Sequence, residues 1–155
     1  VNHMDANELA DIFYQYGEER HSRKIAGAIV RSRPIQTTRE LAALVERVAP
    51  RHKSDKIHPA TRIFQALRIA VNNEFSALEA LLRSLPLCLA PGGRVVMLTF
   101  HSGEDRRVKK AFQAGYRAGV YSDVATEVIR STKEETFANR RASAAKLRWA
   151  VRGPA

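Results

Sequence analysis

This sequence contains little cysteine and no long apolar run, and each of these two features excludes a class of protein. Cys88 is the only cysteine among 155 residues, so no disulfide can form within the chain. A lone thiol is typical of a reducing compartment such as the cytoplasm. The apolar runs fall well short of the roughly 20 residues that a membrane-spanning helix needs, and no secretory signal opens the sequence. We therefore expect a cytoplasmic protein with no membrane association.

Acidic side chains are also few. Aspartate and glutamate number 16 against 26 lysines and arginines, which gives a net charge of +10. A surplus of this size favours phosphate-rich partners such as nucleic acid. A basic surface that only keeps the protein soluble explains the same numbers, so charge alone leaves both interpretations open. The five histidines are scattered, so no metal site is predicted.

The first half of the sequence predicts helices. Apolar residues recur there at the spacing of one helical face. They form five stripes, in chain order: Leu9, Ile12, Phe13, Tyr16; Ile25, Ala28, Ile29; Leu41, Leu44, Val45, Val48; Phe64, Leu67, Val71; and Phe75, Leu78, Leu82, Leu85. Gly17 interrupts the pattern after the first stripe. Thr37 or Thr38 is the predicted N-cap of the third helix, and Pro59 suits the first turn of the fourth. Residues 50–56 are polar and basic, which predicts a loop.

The second half predicts strands around one helix. After a turn at residues 90–93, the nearly continuous apolar run 94–100 is typical of a strand buried on both faces of a mostly parallel sheet. A helix is expected over 104–117, with Val108, Ala111 and Phe112 inward. Further strands are expected at 124–130 and at 145–151, where apolar and polar residues alternate. Three strands are few, because open α/β sheets usually have about five or six.

Several motifs in a fixed order carry a resemblance to a known family. They occupy residues 16–20 (Tyr-Gly-Glu-Glu-Arg), 58–69, 71–74, 92–102 and 104–109, with a closing motif at 139–148. The set resembles the bacterial methyltransferase family that modifies N4 of a cytosine in small-subunit ribosomal RNA. The resemblance runs over residues 1–152, which is nearly the whole chain.

The resemblance implies a fold, a cofactor and a partner. Members of the family use S-adenosylmethionine, and their class I (Rossmann-like) methyltransferase domain is interrupted by a helical domain thought to bind RNA. We therefore expect an α/β protein in which residues 1–73 form the helical, RNA-binding insertion domain. Residues 74–155 would form the C-terminal part of the methyltransferase sheet, and in class I methyltransferases the last two strands of that sheet form an antiparallel, hairpin-like pair. The implied partner is ribosomal RNA or the small ribosomal subunit.

The family's cofactor loop has no counterpart in this sequence. Its glycine-rich segment, and the acidic residue expected on the ribose, would lie upstream of Val1. Gly92 and Gly93 do not replace that loop, because they precede a strand as a turn and do not join a strand to a helix N-terminus. The cofactor-binding residues are therefore unknown from this chain, which by itself is not expected to be active.

The sequence also departs from the family pattern at several positions. Gly103 stands where the family usually has leucine, and the stretch between Gly115 and Val124 is short. Three positions of the closing motif carry different residues, namely Arg140, Ser143 and Ala144. These departures keep two alternatives open: a catalytically inactive RNA-binding or ribosome-associated module, and an interaction protein with no RNA role.

The candidate catalytic residues are His101, Asn72 and Asp105. His101 follows a predicted strand, and the carboxyl ends of strands face the ligand crevice in open α/β sheets. Asn72 has an amide that suits a base edge, although a structural asparagine at a helix end explains it equally well. Asp105 lies in the first turn of the next helix, where Ser102 as a cap and acidic residues beside the helix dipole are the structural alternative.

The candidate substrate-binding residues fall into two groups. His58, Arg62, Gln65 and Arg68 are spaced by four, three and three residues, so they share one helical face. Guanidinium groups bind phosphate bidentately and stack on bases. Ser102 and Arg106 complete the set near the second strand end. The alternative is a solvated charged face with ion pairs to Glu74 and Glu79.

The small number of strands carries one further expectation. A sheet that ends at an unpaired strand exposes backbone groups and apolar surface to other chains. A homodimer that covers this edge is therefore expected.

Overall fold

The computed structural model describes residues 1–50 and 58–154. The chain divides into two compact units, Val1–Glu74 and Phe75–Ala155. The loop predicted over residues 50–56 lies outside the described residues except for Pro50. Among the helices of the described ranges, none combines the length and apolar character needed to cross a bilayer.

The first unit is built from four helices, α1 (Ala6–Gly17), α2 (Ser22–Arg31), α3 (Thr38–Val48) and α4 (Pro59–Asn72). Their ends follow from local chemistry. The carboxylate of Asp5 accepts from the amides of Asn7 and Glu8 at the start of α1. The predicted cap at Thr37 is confirmed, because its hydroxyl accepts from the amide of Glu40 at 3.2 Å. Pro59 occupies the first turn of α4 as predicted.

The core of this unit lies where α1 packs on α2 and α4. Its largest fully buried side chains are Leu9, Phe13, Ile25, Ile29, Val45 and Ile63. Gly17 ends α1 for a packing reason: a Cβ there would stand 2.7 Å from the carbonyl oxygen of Arg62. The left-handed conformation that closes the helix falls on the next residue, Glu18, with φ of 51°.

The predicted inward face of α4 was wrong in one position. Val71 is 78% exposed, whereas Ala60, Ile63, Ala66 and Ile69 are buried. Two of these four residues are alanines, which carry little hydrophobic signal in a sequence. Their small side chains allow α4 to approach α1 closely, and that approach fixes which face is buried.

The second unit contains a small sheet and three helices. Its elements are α5 (Glu74–Cys88, shared at its first residue with the other unit), β1 (Arg94–Thr99), α6 (Ser102–Arg117), β2 (Tyr121–Val124), β3 (Ile129–Arg130), α7 (Lys133–Ala138), a 3₁₀ turn (Arg140–Ala144) and β4 (Lys146–Arg152). The strand order is β1-β4-β2, and β3 also pairs with β4. Every pairing is antiparallel. The mixed α/β class is confirmed. The antiparallel pairing agrees with the antiparallel pair expected at the end of a class I methyltransferase sheet, while the expectation that β1 lies in a mostly parallel sheet is wrong for the strands described.

The predicted strand at 124–130 was also wrong in its bounds. The structure has two short strands there, β2 and β3, joined by residues 125–128. The two strands pair with different parts of the same partner strand. β2 pairs with Val151, Ala150 and Arg152 near the end of β4, and β3 pairs with Leu147 and Lys146 near its start. Chain order alone does not reveal that division.

The two faces of the sheet differ. One face is covered by α6, whose Val108 and Phe112 are buried against Tyr121, Val124 and Ala150. The predicted inward positions Val108 and Phe112 are therefore confirmed, and Ala111 packs at the edge of the same cluster.

The opposite surface, which we call the open face, is apolar. It is formed by alternate residues of paired strands: Val96 opposite Trp149 and Leu98 opposite Leu147 in the β1–β4 register. Val96 and Leu98 are 58% and 54% exposed, so β1 is not buried on both faces as the sequence suggested. In the described residues β1 pairs only with β4, and its other edge is unpaired.

Candidate functional site

The carboxyl end of β1 leads directly into α6, and His101 makes the junction. Its Nδ1 accepts a long hydrogen bond from the amide of Glu104, so the imidazole is the N-cap of the helix. Ser102 is the first residue of α6, so the expectation that Ser102 caps this helix was wrong. Because Nδ1 is an acceptor, the proton of the neutral ring lies on Nε2. The His101 side chain is 12% exposed.

Glu104 closes the same turn from the other side. One carboxylate oxygen accepts from the amide of Phe100 at 3.0 Å, and the other lies 3.4 Å from Nε2 of His101. The interaction with His101 lowers the pKa of Glu104 to about 2; partial burial opposes this, and the Phe100 amide reinforces it. The ionised carboxylate of Glu104 and the imidazole of His101 thus lie in contact at the end of β1 and hold it to the first turn of α6.

Asp105 is committed to a buried partner. Its two carboxylate oxygens accept from Nε and Nη2 of Arg148 at 2.7 and 3.2 Å, and Arg148 is only 6% exposed. Partial burial acts to raise the pKa of Asp105, but the hydrogen bond and charge of Arg148 outweigh it and hold that pKa below its usual value. Among described residues, Nη1 of Arg148 has no hydrogen-bond partner.

Gly103 is explained by its neighbour Phe75. A Cβ at position 103 would lie 2.6 Å from Cζ of Phe75, so the phenyl ring occupies the space of a larger residue. The same ring contacts His101 with centroids 5.8 Å apart, and the guanidinium of Arg107 stacks 3.5 Å above it. The absence of a side chain at Gly103 therefore leaves room for the Phe75 ring.

Ser102 and Arg106 lie on α6, in the same unit as His101 and Asp105. Ser102 is partly buried and Arg106 is exposed. Since the two side chains are four residues apart, they lie on one side of the helix beside the strand end. Both have interaction partners in the structure.

The predicted stripe on α4 is committed to partners within the first unit. Nδ1 of His58 accepts from the amide of Ala60, which makes His58 the N-cap of α4. Nη1 of Arg62 lies 3.9 Å from the buried carboxylate of Glu19. Gln65 donates to the carbonyl of Tyr16 at 3.4 Å. These contacts tie α4 to the segment between α1 and α2.

The end of α4 is organised around Glu74. Arg68 donates two hydrogen bonds to this carboxylate, at 2.8 and 3.0 Å, and Asn72 donates a third at 3.4 Å. The alternative of an ion pair with Glu74 is thus what Arg68 adopts, while Glu79 pairs with Arg107 at 2.9 Å. Asn72 belongs to the first unit, and His101 and Asp105 belong to the second.

Sequence reasoning missed Arg148. The alternation predicted for this strand puts Arg148 on the same face as Lys146 and Ala150, and it puts the apolar residues Leu147, Trp149 and Val151 on the other face. The structure confirms that alternation, but α6 covers the side that carries Arg148 and Ala150. The signal available was an arginine in the centre of a strand, which requires either solvent or a carboxylate partner.

The glycine pair before β1 does not form a cofactor cradle. The amide of Gly92 donates to the carbonyl of Arg152, and the carbonyl of Gly93 accepts from the amide of Arg152. These groups extend the β1–β4 pairing. The residues described therefore do not fit a dinucleotide-type loop, and no chemical step is assigned through them.

Comparison with known proteins identifies the family. The profile of the MraW methylase family matches residues 1–152. Among the relatives that carry the name "Ribosomal RNA small subunit methyltransferase H" are three from different organisms. That of Acidobacterium capsulatum is 51% identical over 97% of this chain and 50% of its own length. That of Crocosphaera subtropica is 51% identical over 99% and 48%, and that of a Cyanothece species 53% over 98% and 50%.

The chain spans about half the length of these curated relatives. Membership of the family implies S-adenosylmethionine as the cofactor. The match covers both units and includes the strand-end segment around His101 as well as α4. The chain therefore belongs to the MraW methylase family.

Proposed function

We propose that this chain forms the substrate side of an S-adenosylmethionine-dependent methyltransferase that modifies N4 of a cytosine in small-subunit ribosomal RNA. The observation that carries the proposal is the similarity to ribosomal RNA small subunit methyltransferases H along 97–99% of the chain. The motifs at 92–102 and 104–109 support the cytosine-N4 specificity through the family resemblance.

We assign a separate task to each part of the chain. Residues 1–73 are the RNA-binding insertion domain, and residues 74–155 close the sheet of the methyltransferase domain. An all-helical first unit and a sheet-bearing second unit support this assignment. Within the first part, His58, Arg62, Gln65 and Arg68 are the proposed substrate-binding residues, and Ser102 and Arg106 serve in the second.

His101 is the group best suited to hold the target base. With Nδ1 occupied by the Glu104 amide, Nε2–H is the donor that suits the O2 or N3 acceptor of an unpaired cytosine. Because Nε2 is buried and faces the Glu104 carboxylate at 3.4 Å, the contact requires the imidazole or that carboxylate to move when the base binds. Such a contact fixes the base, and positioning supplies much of the acceleration in a two-substrate transfer. His101 therefore orients the substrate and does not remove its proton.

Asp105 and Asn72 supply acceptors in this proposal. The exocyclic amine of cytosine is a poor nucleophile because its lone pair is delocalised, and an acceptor near its N–H helps to localise that pair. The lowered pKa of Asp105 makes it a hydrogen-bond acceptor and a weak base. Asn72, in the first unit, offers an amide carbonyl as a neutral acceptor for a base edge.

A methyl-transfer assay with a chimera tests the proposal. The first half of the Acidobacterium capsulatum relative is fused to this chain and incubated with labelled S-adenosylmethionine and small subunits that lack the modification. The RNA is digested to nucleosides and resolved by mass spectrometry. The expected product is N4-methylcytidine; a different methylated nucleoside refutes the specificity. A chimera that binds S-adenosylmethionine and the subunit but transfers no methyl group refutes the reaction.

Two further properties are proposed, the second of them for this chain by itself. A ribosomal substrate places the protein in the cytoplasm. The unpaired edge of β1 and the open face are the surface we propose for a homodimer, because an uncovered strand edge pairs readily with another chain.

A further inference from the structure

A second group of cations in the first unit differs from the α4 stripe, by which we mean His58, Arg62, Gln65 and Arg68, because its charges have no carboxylate partners within the described part of the chain. Arg20, Arg23 and Lys24 are exposed, and among residues 1–50 and 58–154 none of the three has a carboxylate within ion-pair distance. The cations of the α4 stripe, by contrast, already face Glu19 and Glu74. A free cation can give its full interaction to an incoming anion, whereas a paired cation must first lose its partner.

These three cations line one cavity, which we call the α1–α2 pocket. Its volume is about 390 Å³, within the range of small-ligand sites. The other side chains of the α1–α2 pocket that matter here are Tyr14, His21 and Asp11. Three cations against one carboxylate leave the pocket positive. The first turn of α2 adds to this, because it holds no acidic residue and its N-cap, His21, makes no side-chain cap bond.

Tyr14 gives the α1–α2 pocket a second kind of surface. Its side chain is 64% exposed, although a tyrosine on a helix can bury its ring when a core position is offered. An exposed aromatic ring beside a cationic cavity is the combination that single-stranded nucleic acid uses, with bases stacked on the ring and phosphates on the cations.

We propose that the α1–α2 pocket binds one phosphate group of single-stranded RNA, with the adjoining unpaired base stacked on Tyr14. This inference rests on the proposed function, because it names the place where an RNA substrate is held. It adds a phosphate site at the α1–α2 pocket to the substrate contacts proposed above for His58, Arg62, Gln65 and Arg68 on α4. Arg23 and Lys24 bind the phosphate, and Arg20 neutralises charge at the rim.

Fluorescence anisotropy with labelled RNA tests the proposal on the full chain. The probes are a 12-nucleotide oligouridylate and a 12-base-pair RNA duplex. The pocket variant is Arg23→Gln with Lys24→Gln. The matched control is Arg39→Gln with Arg47→Gln, which removes the same charge from exposed positions on α3. We expect about a tenfold loss of oligouridylate affinity for the pocket variant and less than a threefold loss for the control.

The ring is tested separately. Tyr14→Leu should weaken oligouridylate binding by about tenfold, because it removes the ring on which the base stacks, and should leave duplex binding within twofold. Tyr14→Phe keeps the ring and should bind like the wild type. Circular dichroism verifies that each variant is folded.

Each result separates the α1–α2 pocket from the wider function. If the wild type binds RNA but the pocket and control pairs lose affinity equally, or Tyr14→Leu binds like the wild type, the pocket inference is overturned and the proposed function stands. If the wild type binds neither probe, the pocket inference is overturned, while the chimera assay still decides the proposed function. A Tyr14→Leu loss of equal size on the duplex also overturns the stacking of an unpaired base.

Discussion

The buried ion pair between Asp105 and Arg148 gives the sharpest energetic prediction. The perturbation is a double-mutant cycle with Asp105→Asn, Arg148→Met and the double variant. Arg148 is 7% exposed and Asp105 17% exposed in their side chains, with two hydrogen bonds between them. Removing one partner of such a pair leaves a charge in a poor environment, which costs about 3–5 kcal/mol in buried pairs.

The expected magnitude is lower for one member than for the other. Arg148→Met leaves a carboxylate that still reaches solvent, so about 2–3 kcal/mol of unfolding free energy should be lost. Asp105→Asn leaves a guanidinium that is almost fully buried, so the loss should be about 3–4 kcal/mol. The double variant should be more stable than the sum predicts, with a coupling of about 2 kcal/mol.

Urea unfolding followed by circular dichroism at 222 nm measures all four proteins. The matched control is the cycle for Arg68 and Glu74, which has the same two-bond geometry but an arginine that is 56% exposed. That exposed pair should couple by less than about 1 kcal/mol. Additivity within about 0.5 kcal/mol at Asp105 and Arg148 would refute the view that this pair holds α6 to the sheet.

Four further outcomes are expected. The pKa of Glu104 lies at about 2 in the fold against 4.5 for the free group, so the stability that its ionised form contributes is complete above pH 4.5 and disappears as the pH falls toward 2. With 27% of the side chain exposed, this contribution to the unfolding free energy is about 1–2 kcal/mol. Glu104→Gln should therefore flatten acid unfolding curves over that pH window. Gly103→Ala should lower the unfolding free energy by about 1–3 kcal/mol because its Cβ meets Phe75, and Phe75→Leu should restore part of the loss; an unchanged urea midpoint contradicts the packing argument. This chain alone should show no tight calorimetric binding of S-adenosylmethionine, and micromolar affinity would mean that a cofactor site is present in it. Light scattering should give a dimer that dissociates on Leu98→Lys, and a monodisperse wild-type monomer counts against the dimer.

The helices of the first unit were predictable because their signals are local. Thr37 caps α3 and Pro59 starts α4 through contacts within a few residues, and apolar spacing marks the faces. The inward face of α4 was less predictable, since Ala60 and Ala66 are buried for their small size and not for their hydrophobicity. Small residues at a helix contact give no signal until the partner helix is known.

The second unit shows where local signals end. Its strand at 94–99 follows from an apolar run after a turn, yet the exposure of Val96 and Leu98 depends on what covers the sheet. The burial of Arg148 depends on Asp105, which lies 43 residues away in the chain. The N-cap at His101, in place of Ser102, depends on the direction from which the chain leaves β1.

The open face carries the only tryptophan of the chain. Trp149, on β4, lies opposite Val96 of β1 and is half-buried. Its indole therefore contacts whatever covers that face. Covering moves an indole from water into an apolar environment and shifts its fluorescence emission to shorter wavelength. One spectrum, recorded as concentration rises or as another polypeptide is added, therefore reports contact at this face without a label.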